Sequence, residues 1–236
     1  MGADGQVADP VQADGISNFS GVSLDAMPST EDPAVGVFHV PILAATAENT
    51  AGYGHFVDAV RDDLVEIVPW PQPGRRPLVR GTGIEGGVVT DRFSFHRTGQ
   101  IQKAHNYAVG REYITGWLAD PAVASEAQEP DAPLVVFTHE ANYHPDGGQI
   151  FMPVAGDAFI ALLALPGDDV GLSDFRGFYF DGSRGFHIAP GVWHQPVFPL
   201  ADKADFITAQ GKVHACVSVD FVTEFQSYIA LTLRAV

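Results

Sequence analysis

The stretch Gly185-Phe186-His187-Ile188-Ala189-Pro190-Gly191-Val192-Trp193-His194-Gln195-Pro196 reads as strand, tight turn and strand. Proline pre-sets φ at the first centre of a turn and glycine accepts a positive φ at the second, so Pro190-Gly191 marks the reversal. In the extended segment that follows, neighbouring side chains alternate between faces, sending Trp193 one way and His194 the other. A histidine held on a sheet in this manner is placed to act as metal ligand, general acid or general base. Upstream lies a second dense segment, His139-Glu140-Ala141-Asn142-Tyr143-His144-Pro145-Asp146-Gly147-Gly148-Gln149, followed by Pro153 and Gly156.

Outward from these two segments the chain keeps one texture. Residues 94–96, 107–109, 134–138, 149–154, 159–165, 175–180, 191–198, 205–208 and 214–221 are short apolar runs, separated by turn signals such as Pro166-Gly167-Asp168-Asp169 and Asp181-Gly182. Runs of this length and spacing predict an all-β fold, a barrel or jelly roll. Val37-Phe38-His39-Val40-Pro41-Ile42 reads as the first strand. Residues 50–68 are expected to hold a short helix, with Phe56, Val60 and Leu64 at spacing four, ended by Pro69-Trp70-Pro71-Gln72-Pro73-Gly74. Residues 224–236 read as a C-terminal helix in preference to an outer strand. Residues 1–36 carry Asp4, Asp9, Asp14, Asp25, Glu31 and Asp32 with no Lys or Arg, and are expected to form an acidic arm ahead of a single domain at 37–236.

Composition sets limits. With 46% hydrophobic residues the chain can bury a core, and 25 Gly with 17 Pro suit strands and turns better than a helical bundle. A formal charge of −16 argues against nucleic acid or an anionic membrane as partner, since both need a basic patch. The single cysteine, Cys216, sits in the apolar run Ala215-Cys216-Val217-Ser218-Val219, reads as a core residue and cannot form an internal disulfide. A cytoplasmic location is therefore expected, as is a homodimer in which the arm or an outer strand covers an exposed sheet edge.

The two motif segments resemble, in degenerate form, the paired motifs of a cupin barrel, and Asn142, His144, Gln149 and His194 stand where cupins place their ligands. From about Phe38 onward the chain further resembles the bacterial ureidoglycolate lyases, also called ureidoglycolate hydrolases. That resemblance is carried by Tyr53-Gly54, by Gly99, Lys103 and His105, and by 139–153. It continues through Arg176-Gly177-Phe178, Gly182, Gly185, Val192-Trp193-His194 with Pro196, and Asp205-Phe206. The chain departs from the family at Asn142, where Glu is common, at Gln195, where His is common, and at Ala189. It is also longer, through its acidic N-terminus and an insertion near 75–91.

The resemblance implies a carbon–nitrogen lyase that cleaves ureidoglycolate to glyoxylate and urea, a step of purine and allantoin catabolism. Such an elimination needs a base for the hydroxyl proton, an acid for the departing nitrogen and a cation for the carboxylate. His194, His144 and His105 are the candidate bases and acids, with Glu140 a further proton-transfer group. Arg176 and Lys103 are candidates for the carboxylate, and Gln149 and Asn142 for the ureido amide. His144, Gln149 and His194 are the candidate metal ligands; neutral donors of this kind suit Ni or Zn poorly, so any such ion is expected to be weakly held. His139 and His187 are expected to face outward, His39, His55, His96 and His214 belong to no cluster, and Trp193 and Phe178 read as core. Two other readings fit the same motifs: a non-catalytic cupin that binds a small carboxylate, and a metal-dependent cupin enzyme of another reaction type.

Overall fold

A computed structural model describes residues 19–20, 22–65, 76–79, 87–211 and 216–236. The Pro69–Gly74 break, residues 75 and 80–86 of the 75–91 insertion, His214 and most of the acidic stretch lie outside the described residues. Among those described, helix is confined to Phe221–Phe225 and to the 3-10 turns Leu24–Ala26, Val60–Asp62 and Leu172–Asp174. No helix among them is long and apolar enough to cross a membrane.

The strands form two sheets. The longer runs, in hydrogen-bonded order, through Gly36–His39, Ser227–Thr232, Val135–Thr138, Arg111–Trp117, Ile101–Asn106, Val88–Thr98, Lys203–Gly211, Gln149–Pro153, Gly185–Ile188 and Gly54–Val57. The shorter runs through Val217–Asp220, Glu140–Tyr143, Trp193–His194, Phe159–Ala164, Arg176–Phe180 and Ile42–Ala44, with Phe198–Pro199 also paired to Phe159–Ala164. The fold is all-β, consistent with the cupin type, and among the described residues the sheets stay open.

The strand Phe159–Ala164 shows how the core is built. Its sequence FIALLA does not alternate, and all six residues are buried. Phe159, Ala161 and Leu163 pack with Phe93, Phe95, Phe151, Phe186 and Phe206 of the longer sheet. Ile160, Leu162 and Ala164 pack on the other side with Val136, Ile229 and Leu231, which belong to the opposite part of that same sheet. The longer sheet therefore wraps both faces of the shorter one, and only a continuous apolar run satisfies a strand covered twice. Each such side chain contributes about 1.5–3 kcal/mol on burial.

Several expectations change. The run at 37–42 is two strands, because Pro41 cannot donate to a ladder: Gly36–His39 joins the longer sheet and Ile42–Ala44 the shorter. In the described part of 50–68 the expected helix is reduced to the 3-10 turn Val60–Asp62. Gly52 has φ +86°, and Gly54–Val57 is instead a strand paired with Gly185–Ile188, while Leu64 is exposed. Residues 107–109 form a turn between Ile101–Asn106 and Arg111–Trp117. At the C-terminus, helix Phe221–Phe225 is capped by Asp220, which accepts from the Thr223 amide at 2.6 Å. It gives way to strand Ser227–Thr232, whose run Tyr228-Ile229-Ala230-Leu231 is fully buried between Gly36–His39 and Val135–Thr138.

Candidate active site

The turn at Pro190-Gly191 forms as read: Gly191 has φ +76° and the Val192 amide donates to the Ala189 carbonyl at 3.2 Å. The Gly191 amide also donates to the carbonyl of His144 at 3.1 Å, which ties the two motif segments together. Trp193 goes into the core, its indole N–H on the Gly167 carbonyl at 2.7 Å, while His194 turns to the opposite face. His194 and Asn142 are direct partners across the sheet.

His144, His194, Gln149 and Asn142 line one cavity, together with Phe19, Phe93, Asn106, Tyr113, Pro196 and Gln210. The Gln149 amide oxygen lies 3.0 Å from Nε2 of His144 and 3.2 Å from Nε2 of His194. Its amide nitrogen donates to Thr208 Oγ1 and to Gln210 Oε1, both at 3.1 Å, so the orientation of the Gln149 amide is fixed. The His194 Nδ1–H donates to the Val192 carbonyl at 2.7 Å, which leaves a lone pair on Nε2 when the ring is neutral. Burial, and then the neighbouring His144, push the His194 imidazole down to about 3, so the ring is neutral at pH 7. Cys216 Sγ lies 3.5 Å from His144 Nδ1. Burial pushes that thiol well up and keeps it protonated, so S–H donates to Nδ1 and the His144 proton sits on Nε2, aimed at Gln149. One imidazole thus presents a proton to the cavity and the other a lone pair.

The cavity wall carries unsatisfied polar groups. Among the described residues, Asn142 Oδ1, Tyr113 Oη and Gln210 Nε2 are buried without a hydrogen-bond partner. Three orphaned polar atoms around two imidazoles form a cradle for a small polar ligand, because each costs about 1–3 kcal/mol until it is met. The free space is about 10 Å³, on the order of a single water. Phe19 closes it. That ring stacks on Tyr113 with centroids 4.9 Å apart and is 5% exposed. The amides of Phe19 and Ser20 donate to the two carboxylate oxygens of Glu140, at 3.1 and 2.7 Å.

The remaining candidates are placed differently. Glu140 lies beside the cavity, and its carboxylate anchors the Phe19–Ser20 backbone. Lys103 and His105 point away, because strand Ile101–Asn106 buries Gln102, Ala104 and Asn106 and turns the alternate residues outward. Lys103 there pairs with Glu126, and His105 Nδ1 lies 3.2 Å from Glu112. Arg176 sits in a separate open cleft with Tyr53, Asp168 and Asp174, its guanidinium on the carbonyls of Ser173 and Phe175. His139 and His187, expected to face outward, are both buried.

Three residues emerge that the sequence did not single out. Arg111 stands directly opposite Asn106 and two residues before Tyr113, which places it on the cavity side of its strand. Burial pushes up both Tyr113 and Cys216, and the positive field of Arg111 opposes both shifts. Asp146 is buried with neither carboxylate oxygen hydrogen-bonded among the described residues; burial raises its carboxyl, and His144 opposes that shift. Phe19 comes from a segment whose composition marked it as an arm. Strand phase would have found Asn106, and Asp146 lies within the motif segment 139–149, but nothing local in the sequence marks Arg111 or Phe19.

A family model described as ureidoglycolate lyase matches residues 92–227. Proteins described as ureidoglycolate lyase from Salmonella paratyphi B, Salmonella newport and Salmonella typhimurium are each 39% identical over 84 residues, 36% of this chain and 51% of theirs. The chain spans about half the length of the curated relatives it matches.

Proposed function

We propose that this chain, which belongs to the ureidoglycolate lyase family, splits ureidoglycolate into glyoxylate and urea in the cavity between His144 and His194. The observation that carries this reading is that His144 and His194 both turn Nε2 to the one Gln149 oxygen in a buried cavity, with His194 Nδ1 on the Val192 carbonyl. His194 Nε2 takes the proton of the substrate hydroxyl. As the carbonyl of glyoxylate forms, the bond from that carbon to the ureido nitrogen breaks. The His194 imidazolium formed in this way gives the same proton to the departing nitrogen, and urea leaves, with His144 beside it across the shared Gln149 oxygen.

The same cradle accounts for the other substrate groups. Asn142 Oδ1 accepts from the ureido N–H, Gln210 Nε2 donates to the ureido oxygen, and Arg111 is the cation for the carboxylate. Entry of that anion raises the His194 pKa from its depressed value toward one suited to a base at neutral pH. Ureidoglycolate is far larger than the free space, so Phe19 moves aside to admit it and then excludes water.

A divalent ion of borderline type fits here weakly. His194 Nε2 and Gln149 Oε1 already present lone pairs, and His144 joins them once its proton moves to Nδ1, where the Cys216 sulfur accepts it. Such an ion would supply Lewis-acid polarisation of a substrate oxygen, but with no carboxylate in the set its hold is loose.

Product analysis tests the reaction. A lyase yields glyoxylate and urea in equal amounts, whereas hydrolysis of the ureido amide releases ammonia. Binding of ureidoglycolate without turnover under any metal condition would move the assignment to a carboxylate-binding cupin.

A further inference from the structure

On the outer face of the longer sheet, away from the cavity, two histidines and an aspartate converge. His55 and His187 are direct partners on the antiparallel strands Gly54–Val57 and Gly185–Ile188, with ring centroids 4.9 Å apart. Asp63, just past the turn Val60–Asp62, brings Oδ2 to 2.9 Å from His55 Nε2 and to 2.9 Å from His187 Nδ1. The three donor atoms lie within 4.8 Å of one another. We infer that these residues form a second metal site, for a borderline divalent ion of the Zn, Co or Ni class, held by His55 Nε2, His187 Nδ1 and Asp63 Oδ2.

Two imidazoles and one carboxylate are the donors such ions prefer, and three protein ligands leave a position for water. The site is pre-formed on its buried side. The His187 ring lies so close to Gly148 that a Cβ there would stand 2.3 Å from Nε2, so the ring is held with Nδ1 toward Asp63. It is open on the other, with the His55 side chain 60% exposed and that of Asp63 23% exposed, which gives the ion a way in. His187 lies within the stretch 92–227 that matches the family, and His55 and Asp63 precede it. Its place suggests its use. An ion here would fasten the edge strand Gly54–Val57 and the turn after it to Gly185–Ile188, where Ile188 pairs with the cavity residue Gln149. Metal binding confined to the folded state raises its stability.

The test is a titration of chelator-stripped full-length protein with Co(II), read by its d–d absorption, in wild type and in the His55→Ala, Asp63→Asn and His194→Ala variants. Thermal unfolding with and without Zn(II) is read alongside. We expect an ion bound with mixed nitrogen and oxygen donors and a rise in Tm. Affinity should drop roughly tenfold or more in His55→Ala and in Asp63→Asn, and this ion should be retained in His194→Ala, which removes only a cavity donor. Wild type that takes up no Co(II), an affinity unmoved in either of the first two variants, or binding lost in His194→Ala alone would overturn the proposal.

Discussion

The amide oxygen of Gln149 faces Nε2 of His194 across 3.2 Å, and both atoms are hydrogen-bond acceptors. The His194 Nδ1 proton is spent on Val192, and the Gln149 amide protons on Thr208 and Gln210. Two lone pairs held this close favour whatever brings a positive charge between them, a proton or a cation.

Gln149→Glu should exploit that geometry. A carboxylate beside both imidazoles favours their charged forms and supplies the anionic donor the cavity lacks. The His194 pKa should rise by roughly 1–3 units, and Ni or Zn affinity should increase. NMR titration of the ring and calorimetric metal binding are the readouts.

Stability should fall with acid through His194. An unfolded imidazole binds its proton near pH 6.5, whereas the folded ring resists until about 3. Between those values the unfolded chain holds the extra proton, so this contribution is complete above about pH 6.5 and is lost as pH drops toward 3. The limiting slope is about 1.4 kcal/mol per pH unit. Denaturant unfolding at several pH values should show that slope, reduced in His194→Asn.

Asp146 works in the opposite sense. Its folded carboxyl is raised by burial, so the unfolded chain loses the proton first and stability declines as pH rises past the ordinary carboxylate range. Asp146→Asn removes a buried charge with no hydrogen-bonding partner among the described residues. It should stabilise the protein at pH 7 by about 1–3 kcal/mol, seen as a higher Tm.

Phe19→Ala should unlatch the cavity. Losing the buried ring weakens docking of this segment by about 3 kcal/mol, while the core away from the arm stays intact. Chemical modification of His144 and His194 should accelerate, with little change in global Tm. Glu140→Gln, which weakens the carboxylate's hold on the Phe19 and Ser20 amides, should act in the same direction and less strongly.

Arg111→Ala should raise KM about 10- to 100-fold, the loss of one charge-assisted hydrogen bond of roughly 1.5–3 kcal/mol. Arg176→Ala and Lys103→Ala should leave KM nearly unchanged, because both cations sit outside the cavity.

These cases separate what local sequence encodes from what it does not. The Pro190-Gly191 reversal follows from φ preferences of two residues, and His194 opposite Trp193 follows from strand pleat. The gathering of His144, Gln149 and His194 was legible from motif order. Lys103 and His105 were misplaced by a single step of strand phase, which the resemblance to a family could not supply but the burial of Gln102, Ala104 and Asn106 does. The C-terminal run Tyr228-Ile229-Ala230-Leu231 becomes a strand because it is covered on both faces, a fact of tertiary packing. Phe19 and Arg111 reach the site through pairings or contacts distant in sequence, and His55 meets His187 only because their strands are neighbours at a sheet edge.

The central claim is that His194, neutral and with Nε2 bare, is the base. Glyoxylate release from ureidoglycolate at saturating substrate and pH 7, compared between wild type and His194→Ala, tests it most directly. Turnover in the wild type and a kcat lower by roughly 10²–10⁴-fold in the variant is the expected result. An unchanged kcat in a folded His194→Ala protein would contradict it.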